Sequence, residues 1–204
     1  TLVGLLADTL SYTGATLEQL KTNRRYNPLQ PNERDKFGQQ MVSLAYTRAL
    51  KNGGSASTTV YRNSASGNYD YFELPDRYRF NLAHTWYGVT SAYNVEHGAL
   101  RLNTGINANT YQRAHRGYFQ PSTTLYDNTG YKQDASAFAK LSLDAGKARW
   151  FTDLQGRYAT FRYEPDANAG IDERRIDWMF FNPKGGVTYQ LATGLSTYAS
   201  YGIT

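Results

Sequence analysis

The sequence predicts an all-β fold: the antiparallel wall of a transmembrane β-barrel, as a fragment of a larger barrel. Three observations predict it. Apolar and polar residues alternate at a period of two, glycine-containing turns recur at nearly constant intervals, and the 204 residues include 18 Tyr and 18 Gly. We expect residues 1–204 to form one partial barrel domain of about eight to nine strands.

Aromatic residues make up 15% of the chain. Tyr and Trp combine an apolar ring with a polar tip, which suits them to the membrane–water interface. The mean hydropathy of −0.63 is low, but barrel strands alternate lipid-facing and lumen-facing residues, so their average is low even when they span a bilayer. The sequence contains no run of about 18 apolar residues, which excludes a transmembrane helix.

The charge pattern argues against nucleic acid as a partner. The net charge is +5, from 22 basic and 17 acidic residues, but the basic residues are scattered. The only basic doublets, Arg24-Arg25 and Arg174-Arg175, lie in polar, turn-rich stretches, so there is no clustered basic face for phosphates. The chain has no Cys, which excludes disulfides, thiolate metal sites and a Cys nucleophile.

The alternation is clearest after Leu100. Even positions carry Leu100, Leu102 and Ile106, whereas odd positions carry polar residues such as Asn103 and Asn107. The same pattern recurs in later segments and predicts a lipid-facing set. That set is Leu100, Leu102, Ile106, Ala139, Leu141, Leu143, Leu154, Val187, Tyr189 and Leu191.

Two kinds of connection are predicted between the strands. Tight turns are expected at Asn52-Gly53-Gly54, His97-Gly98, Ala145-Gly146-Lys147 and Thr193-Gly194. Long polar connections are expected over residues 5–36, 64–81, 113–133 and 165–177. Short turns at one end and long loops at the other are typical of bacterial outer-membrane barrels. Residues 17–20 are the only helical stretch and are too short to stand alone.

A soluble antiparallel sandwich also alternates and also turns on glycine, so it stays open as an alternative. Strands of about ten or more residues are long for a sandwich, where about five or six are usual, and this favours the barrel.

A resemblance to a known family sharpens the prediction. The segments Trp150-Phe151-Thr152-Asp153-Leu154-Gln155-Gly156-Arg157-Tyr158 and Phe180-Phe181-Asn182-Pro183-Lys184-Gly185-Gly186-Val187-Thr188-Tyr189, followed by Tyr198-Ala199-Ser200-Tyr201, resemble the barrel of TonB-dependent outer-membrane receptors. The resemblance covers roughly residues 35–204. Proline cannot donate to a strand ladder, so we expect Pro183 at the first residues of a strand or at a bulge, where a loop re-enters the wall.

The resemblance implies the bacterial outer membrane, a barrel of about 22 strands, and a plug and energy-coupling box that this sequence does not contain. The chain begins at Thr1 without a signal peptide, and we expect it to be a piece of a longer protein. Its implied partners are an extracellular ligand, membrane lipid and the TonB energy-coupling complex, reached through the missing plug region.

The function that the resemblance implies is energy-coupled import of a scarce large nutrient, such as a ferric siderophore, cobalamin or a glycan. The alternatives are a passive porin-like or small structural barrel, and a soluble carbohydrate-binding β-domain. The sequence preceding Thr1 would separate them.

The sequence indicates no enzyme, no cofactor and no metal site. It has three histidines, no HExxH motif and no Gly-x-Ser-x-Gly elbow. A barrel with catalytic groups spread over several strands remains an alternative without a paired constellation to support it.

Candidate ligand-binding residues cluster on or beside the predicted connection over residues 113–133. Arginine and tyrosine can hold anionic, chelate-like or carbohydrate ligands by charge and stacking. An interfacial aromatic girdle with ordinary surface charge is the alternative. The candidates are Tyr111, Arg113, His115, Arg116, Tyr118, Phe119 and Tyr126.

Overall fold

A computed structural model describes residues 1–10, 14–27, 33–51, 53–73, 75–119 and 122–203. Asn52 of the first predicted tight turn lies outside these ranges. The elements in chain order are β1 (Leu2–Leu10), α1 (Leu17–Thr22), β2 (Arg34–Ala49), β3 (Ser55–Glu73), β4 (Asp76–His97), β5 (Leu100–Phe119), β6 (Thr123–Ala145), β7 (Ala148–Glu164), β8 (Arg174–Ala192) and β9 (Leu195–Gly202).

The strands form one antiparallel sheet in which every strand pairs with its neighbours in sequence, from β1 to β9. Strands β2 to β8 are long, from 16 residues in β2 to 23 in β6. The all-β, antiparallel prediction is therefore confirmed. Within the described ranges the sheet is open, and β1 and β9 are its edges.

The register divides the sheet into two chemically different faces. On one face Leu100 pairs with Leu143, Leu143 with Trp150 and Trp150 with Val187. We call this the outward face, because a membrane barrel turns its apolar residues to lipid. Nine of the ten predicted lipid-facing residues share it, and Leu191 lies at a shift in the register between β8 and β9. On the other, the lumen face, Asn103, Lys140, Asp153 and Lys184 pair in the same way.

The apolar part of the outward face lies next to the tight turns. Gly98 and Gly146 have φ of 58° and 61°, a region that glycine enters without steric cost. On β5 the outward residues are mostly apolar from Leu100 to Ala108. About 9–11 residues of a strand cross a bilayer. Because β5 has 20 residues, its second half projects beyond this apolar band, at what we call the far end.

Two of the predicted long connections are wrong. Residues 64–81 and 113–133 lie mostly in paired strands, and the register continues to Glu73 opposite Asp76 and to Phe119 opposite Thr123. The outward face of these stretches is mostly polar, because it projects beyond the apolar band and no lipid covers it. Residues 5–36 also contain strand and helix, and only residues 165–173 form an irregular connection within 165–177.

The sequence predicted that Pro183 would lie at the first residues of a strand or at a bulge, and this is wrong. Pro183 lies inside β8, opposite Leu154 of β7, where the register is continuous. Its carbonyl oxygen accepts a hydrogen bond from the amide of Ile203 at 3.0 Å, on the β9 side. In an antiparallel ladder the N–H and C=O of one residue point to the same neighbour. The missing N–H therefore costs no hydrogen bond to β7.

The helix α1 forms because two reciprocal hydrogen bonds between Thr16 and Gln19 cap its N-terminus. The hydroxyl of Thr16 accepts from the amide of Gln19 at 3.3 Å, and the Gln19 side chain accepts from the amide of Thr16 at 2.8 Å. This capping box stabilises a segment too short to be helical by propensity. No helix in the described residues is long and apolar enough to cross a membrane.

Candidate ligand-binding site

The far end of the lumen face is rich in aromatic rings. On β4 the residues Tyr78, Phe80, His84 and Trp86 share this face at a spacing of two, interrupted by Leu82. Their cross-strand neighbours on β5 include Tyr111, opposite Trp86. A strand turns alternate residues to one face, so the sequence builds a continuous aromatic surface across two strands.

The rings contact one another across the strands. Among the described residues, four ring pairs have centroids between 4.9 and 5.4 Å apart, well within aromatic interaction distance. Their centroid separations are 5.4 Å for Tyr61–Trp86, 4.9 Å for Tyr69–Phe80, 5.3 Å for Tyr78–Phe119 and 5.4 Å for His84–Tyr111. We call this set, together with Tyr126, the lumen aromatic surface.

Tyr126 lies flat on the wall because its partner on β5 is Gly117. A Cβ at position 117 would overlap the Tyr126 ring, so only glycine allows this approach. The register shifts between Gly117 and Tyr118, and such a bulge re-aims the side chains around it. The ring of Tyr126 also lines a depression of about 320 Å³ that it shares with Tyr69, Phe80 and His115.

Arg113 is the cation in this surface. It lies opposite His84, and its Nε is buried without a hydrogen-bond partner among the described residues. The Nδ1 of His84 is also buried without a partner, while its Nε2 lies 3.4 Å from Asn63 Oδ1. Nearer the tight turns, by contrast, Asp134 is only 8% exposed and forms an ion pair with Arg157 at 2.5 Å. Arg113, unlike Arg157, forms no ion pair among the described residues, so no carboxylate of the described chain neutralises its charge.

The structure divides the seven predicted residues between the two faces. Tyr111, Arg113, His115, Phe119 and Tyr126 lie on the lumen face, whereas Arg116 and Tyr118 lie on the outward face. None of them lies in a loop, because residues 113–119 belong to β5 and Tyr126 to β6.

Arg116 is already paired, since its Nε lies 2.9 Å from Asp127 Oδ2. Sequence reasoning missed six members of the lumen aromatic surface: Tyr61, Tyr69, Tyr78, Phe80, His84 and Trp86. The period-two run from Tyr78 to Trp86 was a signal that could have found the β4 residues. Among the described residues no group of three or more His, Asp or Glu side chains could hold a metal ion.

These features define a class: the wall of a membrane-spanning β-barrel with an aromatic, cationic lumen face at its far end. The family model described as "TonB dependent receptor-like, beta-barrel" matches residues 3–203. The chain therefore belongs to the TonB-dependent receptor family, in its barrel domain, and its location is the bacterial outer membrane. The family consists of receptors and transporters. Short turns of such barrels face the periplasm, so the far end is extracellular.

Solved structures show the same fold. The unliganded ferric citrate transporter FecA matches with a TM-score of 0.76 and 11% identity over 93% of this chain and 30% of that protein. The copper transporter OprC matches with a TM-score of 0.71 and 16% identity, over 83% of this chain and 30% of that protein. The ferric yersiniabactin uptake receptor FyuA from Yersinia pestis matches with a TM-score of 0.64 and 8% identity, over 86% of this chain and 29% of that protein. The chain thus spans about 30% of the first of these proteins. No curated protein matches the sequence.

Proposed function

We propose that this chain is part of a transporter that imports a scarce, large nutrient across the outer membrane by TonB-dependent, energy-coupled transport. The ligand that we favour is a ferric siderophore. The observation that supports it is the lumen aromatic surface around Arg113, whose buried Nε has no partner among the described residues. Among the structural neighbours, FecA is a ferric citrate transporter and FyuA is a ferric yersiniabactin uptake receptor.

The chemistry of the surface favours an anionic chelate over a neutral sugar. Rings bind flat apolar or aromatic groups, and a guanidinium binds carboxylate or catecholate oxygens with charge-assisted hydrogen bonds. Cobalamin or a glycan would use the rings but gain less from Arg113. Import requires binding and release and no bond making, so we propose no catalytic residue. The TonB complex would engage a plug region that the 204 residues do not include.

The division between the two faces provides a matched experiment. The test variant is Arg113→Ala with His115→Ala, both on the lumen face. The control is Arg116→Ala with Tyr118→Ala, two neighbouring residues of β5 on the outward face. Removal of one charge-assisted contact costs about 1.5–3 kcal/mol, so we expect the affinity of the full-length protein for a ferric siderophore to fall roughly 10- to 100-fold in the test variant.

The measurement is siderophore-dependent growth under iron limitation, with binding to the purified protein and a heat-modifiability gel for barrel assembly. Unchanged growth and binding in the test variant would contradict the proposal for this surface. An equal loss in the control would show that the residues act on the barrel and not on a ligand. A porin-like barrel would pass small solutes with no dependence on TonB.

A further inference from the structure

The outward face carries a depression of about 590 Å³ at the extracellular edge of its apolar band. Val60, Val89, Ala108, Ala135 and Tyr158 follow one another in a single cross-strand row from β3 to β7. They line the depression together with Tyr87. We call these six residues the outer groove.

The groove exists because two small side chains sit between larger ones. Ala108 and Ala135 face each other on β5 and β6, whereas the rings of Tyr87 and Tyr158 rise on either side and are 49% and 39% exposed. Neighbouring strands are about 4.8 Å apart, so the two alanines open a channel about as wide as one hydrocarbon chain. Its walls are mainly apolar, with Thr110 and Gln133 also in its lining. Its position on the outward face exposes it to lipid.

A cation lies at the extracellular rim of the groove. Arg62 is directly opposite Tyr87, with its Nε 3.4 Å from the Tyr87 hydroxyl oxygen and its guanidinium carbon 5.9 Å from the ring centroid. Within the described part of the chain, no carboxylate oxygen lies within 4 Å of Arg62.

Other arginines beyond the apolar band on this face are neutralised. Arg116, Arg162 and Arg175 each have a carboxylate oxygen within 3.1 Å. Arg62 therefore differs from them in keeping an uncompensated charge, and it does so directly above the apolar groove.

We propose that the outer groove binds a phosphate-bearing lipid of the outer leaflet, with one acyl chain between Tyr87 and Tyr158 and the phosphate on Arg62. The geometry fits a molecule with an apolar tail and an anionic head at the height of the membrane interface. A guanidinium forms paired hydrogen bonds to phosphate oxygens, and the apolar groove packs against the acyl chain by van der Waals contact. A free phosphate ion would leave the groove empty.

The test uses the full-length protein in detergent and native mass spectrometry. The probe is a bisphosphorylated, acylated glucosamine disaccharide (lipid A), compared with phosphatidylcholine, whose phosphate is neutralised by choline. We expect the wild-type protein to retain more lipid A than phosphatidylcholine. Arg62→Gln should weaken its retention about tenfold, because the variant loses a charge-assisted contact. Ala135→Leu should reduce retention of both lipids by filling the groove.

Arg48→Gln is the matched control. Arg48 is exposed on the outward face of β2, near the periplasmic end, so its loss should leave lipid A retention unchanged. A heat-modifiability gel checks assembly, and Ala108→Val replaces Ala135→Leu if the latter does not assemble. The proposal is overturned if Arg62→Gln retains lipid A like wild type, if phosphatidylcholine is retained equally well, or if a second protein copy occupies the surface.

Discussion

Adjacent residues of one strand face different media, and this can be tested at Ile106 and Asn107 of β5. Ile106 is 53% exposed on the outward face and lies inside the apolar band, which begins at Leu100 at the start of β5. Lysine there would be placed in hydrocarbon. We expect Ile106→Lys to destabilise the assembled barrel by about 2–4 kcal/mol, measured by denaturant unfolding in lipid vesicles.

Asn107→Lys is the control for this prediction, since residue 107 points to the lumen face, where water or polar groups can solvate a cation. It should change the free energy of unfolding by less than about 0.5 kcal/mol. Equal destabilisation by both substitutions would mean that the two faces are not distinguished by lipid.

The sequence predicted which side chains of a strand share a face within the membrane, but it pointed to only part of the candidate ligand-binding surface. Period two alone places Leu100 and Ile106 on one face. The same alternation, continued along β5 past Ala108, places Arg113 and His115 on the lumen face and Arg116 on the outward face. The interpretation of residues 113–133 as a loop prevented its use there. His84 and Trp86 were missed because the pairing of β4 with β5, which brings them beside Tyr111, is a property of the register.

At the scale of elements, the β3–β4 hairpin extends past the apolar band and is closed near its tip by an ion-pair cluster. Asp70 is only 4% exposed, and its oxygens lie 2.7 Å from Arg79 Nε and 3.0 Å from a terminal nitrogen of Arg77. Tyr71 and Tyr78 pair beside it, with ring centroids 6.3 Å apart. Cross-strand contacts of this kind hold a hairpin together in water.

This cluster makes the tip sensitive to acid. Burial alone would raise the pKa of Asp70, but hydrogen bonds from Arg79 and Arg77 outweigh it and hold the pKa below its ordinary 3.8. Because the pKa of Asp70 is lowered in the folded state, its ionised carboxylate stabilises the folded hairpin fully above pH 3.8. This stabilisation is lost as the pH falls through the pKa of the folded state. We expect the protection of the amides near Tyr71 and Tyr78 against hydrogen exchange, relative to their intrinsic exchange rates, to fall only below pH 3.8.

Asp70→Asn should reproduce the opened tip at neutral pH, at a cost of roughly 1–2 kcal/mol, because both arginines are partly exposed and water replaces some of the lost contact. Asp127→Asn is the matched control on the next hairpin and should leave the β3–β4 amides unchanged. Fast exchange in wild type at neutral pH would show that the cluster does not close the tip.

At the scale of the whole molecule, the strands form a sheet whose two edges are unpaired within the described residues. Edge β1 presents Leu2 to Leu10, and edge β9 presents Leu195 to Gly202. In lipid every backbone polar group needs a partner inside the protein, and in water a long free edge pairs with other chains. A complete family barrel has about 22 strands and no free edge, so we propose that this chain is a partial barrel domain.

The consequence can be tested on the 204 residues alone. Expressed without further sequence, they should form inclusion bodies, since neither lipid nor water solvates both edges and the apolar outward face. Refolding into detergent should give aggregates with no heat-modifiable band. The control is the full-length protein refolded in parallel, which should show that band. A monomeric, heat-modifiable product of the 204 residues would contradict the prediction, because the edges could then be satisfied only by β1 pairing with β9 in a small closed barrel.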